Sequence, residues 1–401
     1  MASSFTKHPP TVALCDNPMK FEFTTDLDPG SENVNVIISP KYTGASAAIG
    51  SEIAYPPAVG IAEVFLGEYL RFNFYGEPLN RKLFTFPDLN IAYLVWTNLC
   101  KKYEVLAAVG SGYDPPLYFN VLLENLYVMR GKVPEWIYDK FYSENTSFWN
   151  WIVTNKSFLT FAPSSVPTTT TQLQKLYFLV YYTPISGDTL NIKVTCTFTD
   201  GSTGNFITTK ATAAIEQFRV YEFHTSWYAL GIEAWRKANY SDKTVYSYQV
   251  EVIDNHNTIV SEARHYVLDY LPHLAEHQFI FANNAGAYDT FLTTGLSLTE
   301  TEFEVETEDV KNLVHLERNK ATLRINTSET IKTSTGWMSK DRLNYLSEML
   351  SSVEVYEITA DQLVVPVVWK NMSVIRKNDK HGLYAVQLEY AFAHYQFIET
   401  A

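Results

Sequence analysis

The clearest pattern of hydrophobic and polar positions lies in the middle of the chain, where the two classes alternate. Hydrophobic residues occupy every second position from Leu190 to Phe198, and Asp200-Gly201 follows as a turn signal. Residues 246–252 repeat the alternation. A period of two is typical of strands that bury one face. The pattern predicts an antiparallel β-sandwich over residues 156–271.

The first third of the chain contains short hydrophobic runs separated by Gly, Pro, Asn and Asp. The runs cover residues 34–38, 91–96 and 117–128, and Leu70, Phe72 and Phe74 add a short alternating stretch. Runs of this length between turn residues favour strands. We therefore expect a second sandwich-like domain over residues 1–155.

The last part of the chain, residues 272–401, predicts strands together with one helix. Ser339 can cap a helix near residues 340–352, in which Leu343, Leu346 and Leu350 fall on one face. The runs after this helix again resemble strands. The predicted fold class is mainly β: two β-sandwich-like domains followed by a C-terminal α+β domain.

Composition narrows the possible partners. Aromatic residues make up 15% of the chain, which favours sheets, and the formal net charge is −13 without a dense Lys/Arg run. We expect no direct nucleic-acid binding and no membrane partner. Cys15, Cys100 and Cys196 are too widely spaced for a disulfide framework. With no signal-peptide pattern, they indicate a soluble protein that is made in a reducing cytoplasm.

An aromatic cluster occupies residues 134–155. It includes Trp136, Trp149 and Trp151. Such a cluster either presents exposed rings to a glycan or forms a packed seam at a domain boundary. We favour the packed seam, keep the glycan platform as the alternative, and place a predicted boundary near residue 155.

One short motif carries potential metal chemistry. His273-Leu-Ala-Glu276-His277 matches the H-x-x-E-H pattern of inverted zinc peptidases. On a helix, the two histidines would share a face and Glu276 could activate a metal-bound water. Pro272 before the motif and a strand-like run after it argue against that helix. We expect no metal, no cofactor and no catalytic residue, and we keep a zinc-dependent hydrolase as an alternative.

A second chemical pattern is acidic. Glutamates occupy every second position from Glu300 to Glu308. This row either binds a cation or forms the solvated face of a strand. A charged strand face also discourages edge-to-edge aggregation, and we favour the solvated face.

The C-terminal part resembles a known group of proteins. The stretch Phe279-Ile-Phe-Ala-Asn-Asn-Ala-Gly286-Ala-Tyr-Asp-Thr-Phe291 resembles a motif of structural proteins that are encoded by phages and prophages of Bacteroidetes hosts. Gly336-Trp337 and the closing Leu388-Glu-Tyr-Ala391 are similar to the ending of the same family. The resemblance spans roughly the last 240 residues and is weaker over the first 155.

The resemblance implies a structural role in a virion, in the tail, baseplate or neck, and it names no catalytic residue. The implied partners are other virion proteins and further copies of the chain in a symmetric homo-oligomer. Aromatic side chains often anchor such interfaces, and the candidates here are Trp149, Trp151, Trp337 and Trp369. A receptor- or glycan-binding adaptor remains the alternative function.

Overall fold

The structure is a computed structural model of the 401-residue chain. It describes residues 4–25, 34–54, 61–75, 93–111, 119–137, 147–208, 212–273, 275–309, 320–359, 363–378, 382–393 and 396–397. Strands dominate this part of the chain, and helices are few and short. The structure confirms the prediction of a mainly β fold with sandwich-like sheets and a C-terminal part that combines strands with one helix.

Two sheets share one core in the N-terminal part. This part of the chain contains the strands β1 (Ser4–Lys7), β2 (Val12–Leu14), β3 (Lys20–Thr24), β4 (Val34–Tyr42), β5 (Glu52–Ala54), β6 (Ile61–Phe65), β7 (Tyr93–Trp96), β8 (Cys100–Ser111) and β9 (Phe119–Met129). All of them except β7 belong to the two sheets. The sheets have the orders β1-β3-β6 and β2-β9-β8-β4-β5. Their inward side chains form a cluster that includes Phe21, Phe23, Tyr103 and Val105.

A helix, α1 (Gly67–Tyr75), follows β6 where the alternation of Leu70, Phe72 and Phe74 predicted a strand. That prediction was wrong. The residues that decide the conformation are Leu66 and Leu70, which lie four positions apart and are both fully buried. Such spacing fits one face of a helix, and the Leu70 amide donates to the Leu66 carbonyl.

The central sandwich also pairs two sheets over one core. Its elements are α2 (Phe148–Asn155), β10 (Ser165–Thr168), β11 (Lys175–Leu179), β12 (Leu190–Phe198), β13 (Thr203–Ile207), β14 (Val220–His224), α3 (Ile232–Asn239), β15 (Val245–Asp254) and β16 (Arg264–Leu268). The sheet orders are β10-β16-β15-β12-β13 and β11-β14-β7. Hydrophobic side chains of both sheets form one cluster.

Strand β12 confirms the alternation of the sequence, because its side chains are buried at every second position. The turn after it contains Gly201 at φ 80°, and β12 pairs with β13 in the expected hairpin. Strand β7, in contrast, belongs to this second sandwich: Tyr93 lies opposite Phe223 and Trp96 opposite Val220. The sequence did not indicate this long-range pairing.

The C-terminal strands form one large sheet. Its elements are β17 (His277–Ala282), β18 (Tyr288–Thr293), β19 (Ser297–Asp309), β20 (Lys320–Ser334), α4 (Lys340–Ser351), β21 (Val355–Ile358), β22 (Val364–Asn378), β23 (Leu383–Phe392) and β24 (Gln396–Phe397). The strand order is β18-β17-β21-β22-β23-β20-β19, and β24 also pairs with β20.

Helix α4 confirms the predicted helix and its cap. The Ser339 hydroxyl accepts a hydrogen bond from the Arg342 amide at 3.3 Å. The buried face differs from the expected leucine row, since Tyr345, Leu346 and Met349 are buried while Leu343 and Leu350 are half-buried.

The contacts divide the chain into two compact units. The first contains Met1–Leu83, Pro87–Leu268 and Asn283–Asp289, and the second contains Asp269–Ala282 and Thr290–Ala401. Both sandwiches belong to the first unit, each with its own core. The three-domain division at residues 155 and 271 stays a prediction.

Candidate interaction surface

The most exposed strand that the structure describes in the second unit is β19, and we call the hairpin that it forms with β20 the acidic hairpin. The two strands pair in antiparallel register from Ser297 opposite Thr333 to Asp309 opposite Lys320. Strand β19 is the terminal strand of its sheet. Twelve of its thirteen residues are exposed, and the thirteenth is half-buried. Neither face of this strand is therefore covered by a core of the described residues.

The two faces of β19 differ in chemistry. The even positions from Glu300 to Glu308 carry carboxylates, and the odd positions include Phe303 and Val305, with Phe303 61% exposed. The Lys332 ammonium lies 2.7 Å from Glu300 Oε2, and this hydrogen bond raises the pKa of Lys332. The alternation of the sequence thus marks a strand, as predicted, with a charged face and an apolar face.

An apolar patch lies where the acidic hairpin joins the sheet. Its exposed side chains are Leu296, Leu298 and Trp337, with exposed fractions of 73%, 56% and 52%. We call these three residues the basal patch. They line a shallow depression of about 550 Å³ together with Ala385 and Gln387. Exposed apolar patches of this kind are typical of sites where another molecule binds.

The other tryptophan candidates pack inside the units. Trp369 is half-buried, and its ring centroid lies 5.5 Å from that of Phe279 and 5.8 Å from that of Tyr390. In the first unit, Trp149 packs against Phe218 at 5.6 Å. These rings contribute to packing, and of the four candidates Trp337 is the one that is more than half exposed.

The aromatic cluster at residues 134–155 resembles a packed seam in the residues that the structure describes. Trp151 contacts Phe148 at 5.9 Å and Phe161 at 5.2 Å between ring centroids. Trp136 is 38% exposed. Three further aromatic residues of this region, Tyr138, Phe141 and Tyr142, lie outside the described residues.

The H-x-x-E-H motif does not form a helix. His277 begins strand β17, and its Nδ1 lies 2.6 Å from Glu357 Oε1 while its Nε2 lies 2.8 Å from Ser297 Oγ. His273 Nε2 lies 3.3 Å from Asp269 Oδ2. Among the described residues, no group of three or more His, Cys, Asp or Glu side chains is arranged to hold a metal ion. The geometry that a zinc peptidase requires is therefore missing in this part of the chain.

The stretch that carries the resemblance forms a tightly fixed turn in the first unit. The Asn283 side chain accepts hydrogen bonds from the amides of Ala285 and Ala287, and its Nδ2 donates to the Leu159 carbonyl. Gly286 has φ 88°, and a Cβ at this position would lie 2.4 Å from the Arg130 carbonyl oxygen. Only glycine fits this turn without displacement of its neighbours. The motif is thus explained by structural requirements.

A buried charge cluster lies between the strands of the central sandwich. Glu222 is fully buried. Its Oε2 accepts hydrogen bonds from Trp96 Nε1 and from the Tyr177 hydroxyl, both at 2.8 Å. Its Oε1 lies 2.7 Å from the Lys175 ammonium and 3.0 Å from His224 Nε2. We call these five side chains the Glu222 cluster.

The Glu222 cluster has a structural role, because it stabilises the interior of the sandwich and its carboxylate has no exposed surface that a ligand could reach. Burial by itself would raise the pKa of Glu222, but the Lys175 ammonium and His224 lower it to about 2. Burial and the neighbouring carboxylate raise the pKa of Tyr177 well above its ordinary value. The Glu222 cluster was not predicted from the sequence. The one signal of this cluster in the sequence is a glutamate inside the largely hydrophobic run Val220–His224.

Comparison with known proteins assigns the chain to no family. No family model matches the chain, and no curated protein matches it. The crystal structure of CBD12 from CALX1.2 is similar at 9% identity and a TM-score of 0.21, covering 64% of this chain and 81% of that one. The calcium binding domain CBD12 of CALX1.1 is similar at 9% identity and a TM-score of 0.19, covering 63% and 81%. Likeness at this level assigns neither a fold family nor a function.

The helices are short. Within the described residues, no helix combines the length and the apolar character that are needed to cross a membrane.

Proposed function

We propose that the chain is a non-enzymatic structural protein of a phage particle, in the tail, baseplate or neck. In this role it assembles with further copies of itself as a symmetric homo-oligomer and with other virion proteins. The chain is made in the cytoplasm of the host bacterium and functions in the virion.

The observation that carries the proposal is the exposure of the acidic hairpin and of the basal patch. A two-stranded ribbon without a covered face is marginally stable in water. An edge strand also offers unpaired backbone groups to another chain. Strand β19 is an edge strand over thirteen residues, and the hairpin is such a ribbon where β20 pairs with neither β23 nor β24. Leu298 and Trp337 add apolar surface at its base. Such a surface gains stability when a partner covers it.

The resemblance of the C-terminal part to phage structural proteins supplies the setting. The residues behind it, Asn283 and Gly286 above all, fix a turn. Residues that fix a turn fit a building block better than a catalyst.

The proposal is tested by the mass of the purified chain in solution. We expect light scattering to show an oligomer well above the 45.8 kDa of one chain. Truncation of a central interface tryptophan costs about 2 kcal/mol or more, and Trp337→Ala should therefore weaken association by about thirty-fold.

Ile185→Ser provides the matched control, because Ile185 is 69% exposed and belongs to the first unit, whereas the basal patch belongs to the second. This variant should keep the mass of the wild type. A wild-type chain that stays monomeric at every concentration, or a Trp337→Ala variant with unchanged association, would contradict the proposal.

A further inference from the structure

An open cleft of about 830 Å³ lies in the first unit, where β8 and β9 approach the turn before β14. Its size is within the range of ligand sites. The charged residues that line it are Lys101, Lys102, Arg219 and Glu216, three cations and one anion. We call it the basic cleft. This local excess of positive charge stands out in a chain with a net charge of −13.

The basic cleft also has an aromatic wall. The rings of Tyr127 and Phe218 stack at 3.9 Å between centroids, and the Trp149 ring also packs against Phe218 at 5.6 Å. Phe218 has φ 61°, a left-handed conformation that a bulky residue rarely adopts. The backbone around it is fixed by the Phe218 amide, which donates to the Val180 carbonyl at 2.8 Å. Strained residues of this kind concentrate at binding sites.

The cations are placed to meet an anion at the cleft. The Lys101 ammonium lies 5.7 Å from the ring centroid of Tyr42, which also lines the cleft. Lys102 is exposed. Arg219 lies 3.0 Å from Glu216, and both side chains are open to solvent, so this pair is weak and can be exchanged for another carboxylate. The lining thus fits a ligand that combines several carboxylates with apolar side chains.

The chain itself carries a segment with this chemistry. Strand β19 presents carboxylates about 6.6–6.8 Å apart on one face, because alternate residues of a strand are separated by two rises. Phe303 and Val305 provide the apolar side chains on the other face.

We infer that β19 of one copy docks into the basic cleft of a second copy, with the Glu302 and Glu304 carboxylates meeting Lys102 and Arg219. The inference rests on the proposed function and specifies the contact behind it. Two different surfaces meet in this contact, so it is head-to-tail, and it generates a ring when the rotation closes. Pairing of β19 with β19 in a register that places glutamate opposite glutamate is unfavourable, because like charges then face each other.

Charge reversal in the full-length chain tests the inference. One variant reverses the cleft with Lys102→Glu and Arg219→Glu, and the other reverses the strand with Glu302→Lys and Glu304→Lys. Each variant alone places like charges in the contact, and we expect association to weaken by roughly 100-fold. Lys237→Glu, an exposed lysine of α3, is the matched control and should keep the wild-type mass.

Mixing supplies the discriminating result. When the two reversed variants are combined in equal amounts, copies that alternate around a ring with an even number of members join opposite charges at every contact, and we expect light scattering to recover an even-numbered wild-type mass. A chain with all four reversals should recover the wild-type mass too. Recovery also shows that the reversed variants are folded, which circular dichroism checks independently.

Three results would overturn the inference. Both reversed variants can keep the wild-type mass, the chain with all four reversals can fail to recover it, or the cleft variant alone can lose mass while the strand variant keeps it. The last result indicates a different anionic partner for the cleft. In each of these cases a wild-type oligomer still supports the proposed function, whereas a monomeric wild type contradicts both.

Discussion

Replacement of Glu222 by glutamine removes the carboxylate on which four side chains of the central sandwich converge. The amide cannot neutralise the Lys175 ammonium. Its NH₂ group is a hydrogen-bond donor and would face other donors, such as Trp96 Nε1 or the Tyr177 hydroxyl. The pKa of Glu222 falls from an ordinary value of 4.5 to about 2. At about 1.36 kcal/mol per pH unit, this lowering of the pKa corresponds to roughly 3 kcal/mol. This agrees with the roughly 3–5 kcal/mol that breaking a buried ion pair costs.

The pH dependence has a definite sign. Because folding lowers the pKa of Glu222, the carboxylate contributes its stability above pH 4.5, and the contribution disappears as the pH falls toward 2. Between pH 7 and pH 3.5, one pH unit below the unfolded pKa, linkage removes about 1 kcal/mol of this stability. The difference between wild type and Glu222→Gln should shrink by this amount.

Urea unfolding followed by tryptophan fluorescence measures the effect at both pH values. Glu63→Gln is the matched control, since Glu63 is half exposed and pairs with Lys20 on the surface, and it should change stability by less than about 1 kcal/mol. The reasoning is refuted if Glu222→Gln costs less than about 1 kcal/mol at pH 7. It is equally refuted if the difference from wild type stays constant down to pH 3.5.

Two further predictions concern the backbone. Gly286→Ala should destabilise the first unit by at least about 1 kcal/mol more than Gly187→Ala, because both glycines have positive φ but only Gly286 has a backbone oxygen at 2.4 Å from the added methyl group. Equal midpoints of thermal unfolding would show that this contact does not matter. Ser339→Ala should lower the free energy of unfolding by about 1 kcal/mol, because the cap of α4 is lost. Ser347→Ala, on the exposed face of the helix, is the control and should cost less. Thermal unfolding of the two variants measures the difference, and equal losses of stability would argue against the cap.

Local patterns of the sequence were sufficient where one face of an element is buried. Strand β12 shows the alternation that its burial requires, and the Ser339 cap marks the start of α4. The acidic row from Glu300 to Glu308 also predicted a solvated strand face, and the structure places it on an exposed strand. In each case, neighbouring residues contain all the information that decides the conformation.

The remaining features depend on residues that are distant in sequence. Glu222 lies in a strand that is buried on both faces, and Trp96, 126 positions away, completes its hydrogen bonds. The basic cleft combines residues from Tyr42 to Arg219. The H-x-x-E-H motif does not form a metal site in the described residues. Its spacing places both histidines on one face only in a helix, and His277 begins a strand. Pairing between distant strands decides these sites, and no local period encodes it.

We propose that this chain is a building block of a phage particle. Mass spectrometry of gradient-purified particles, released from a host that carries the encoding phage or prophage, tests it most directly. The account predicts that peptides of the chain co-purify with the particles in a constant ratio to the other virion proteins. Particles that lack the chain while it is present in the host lysate would contradict the account.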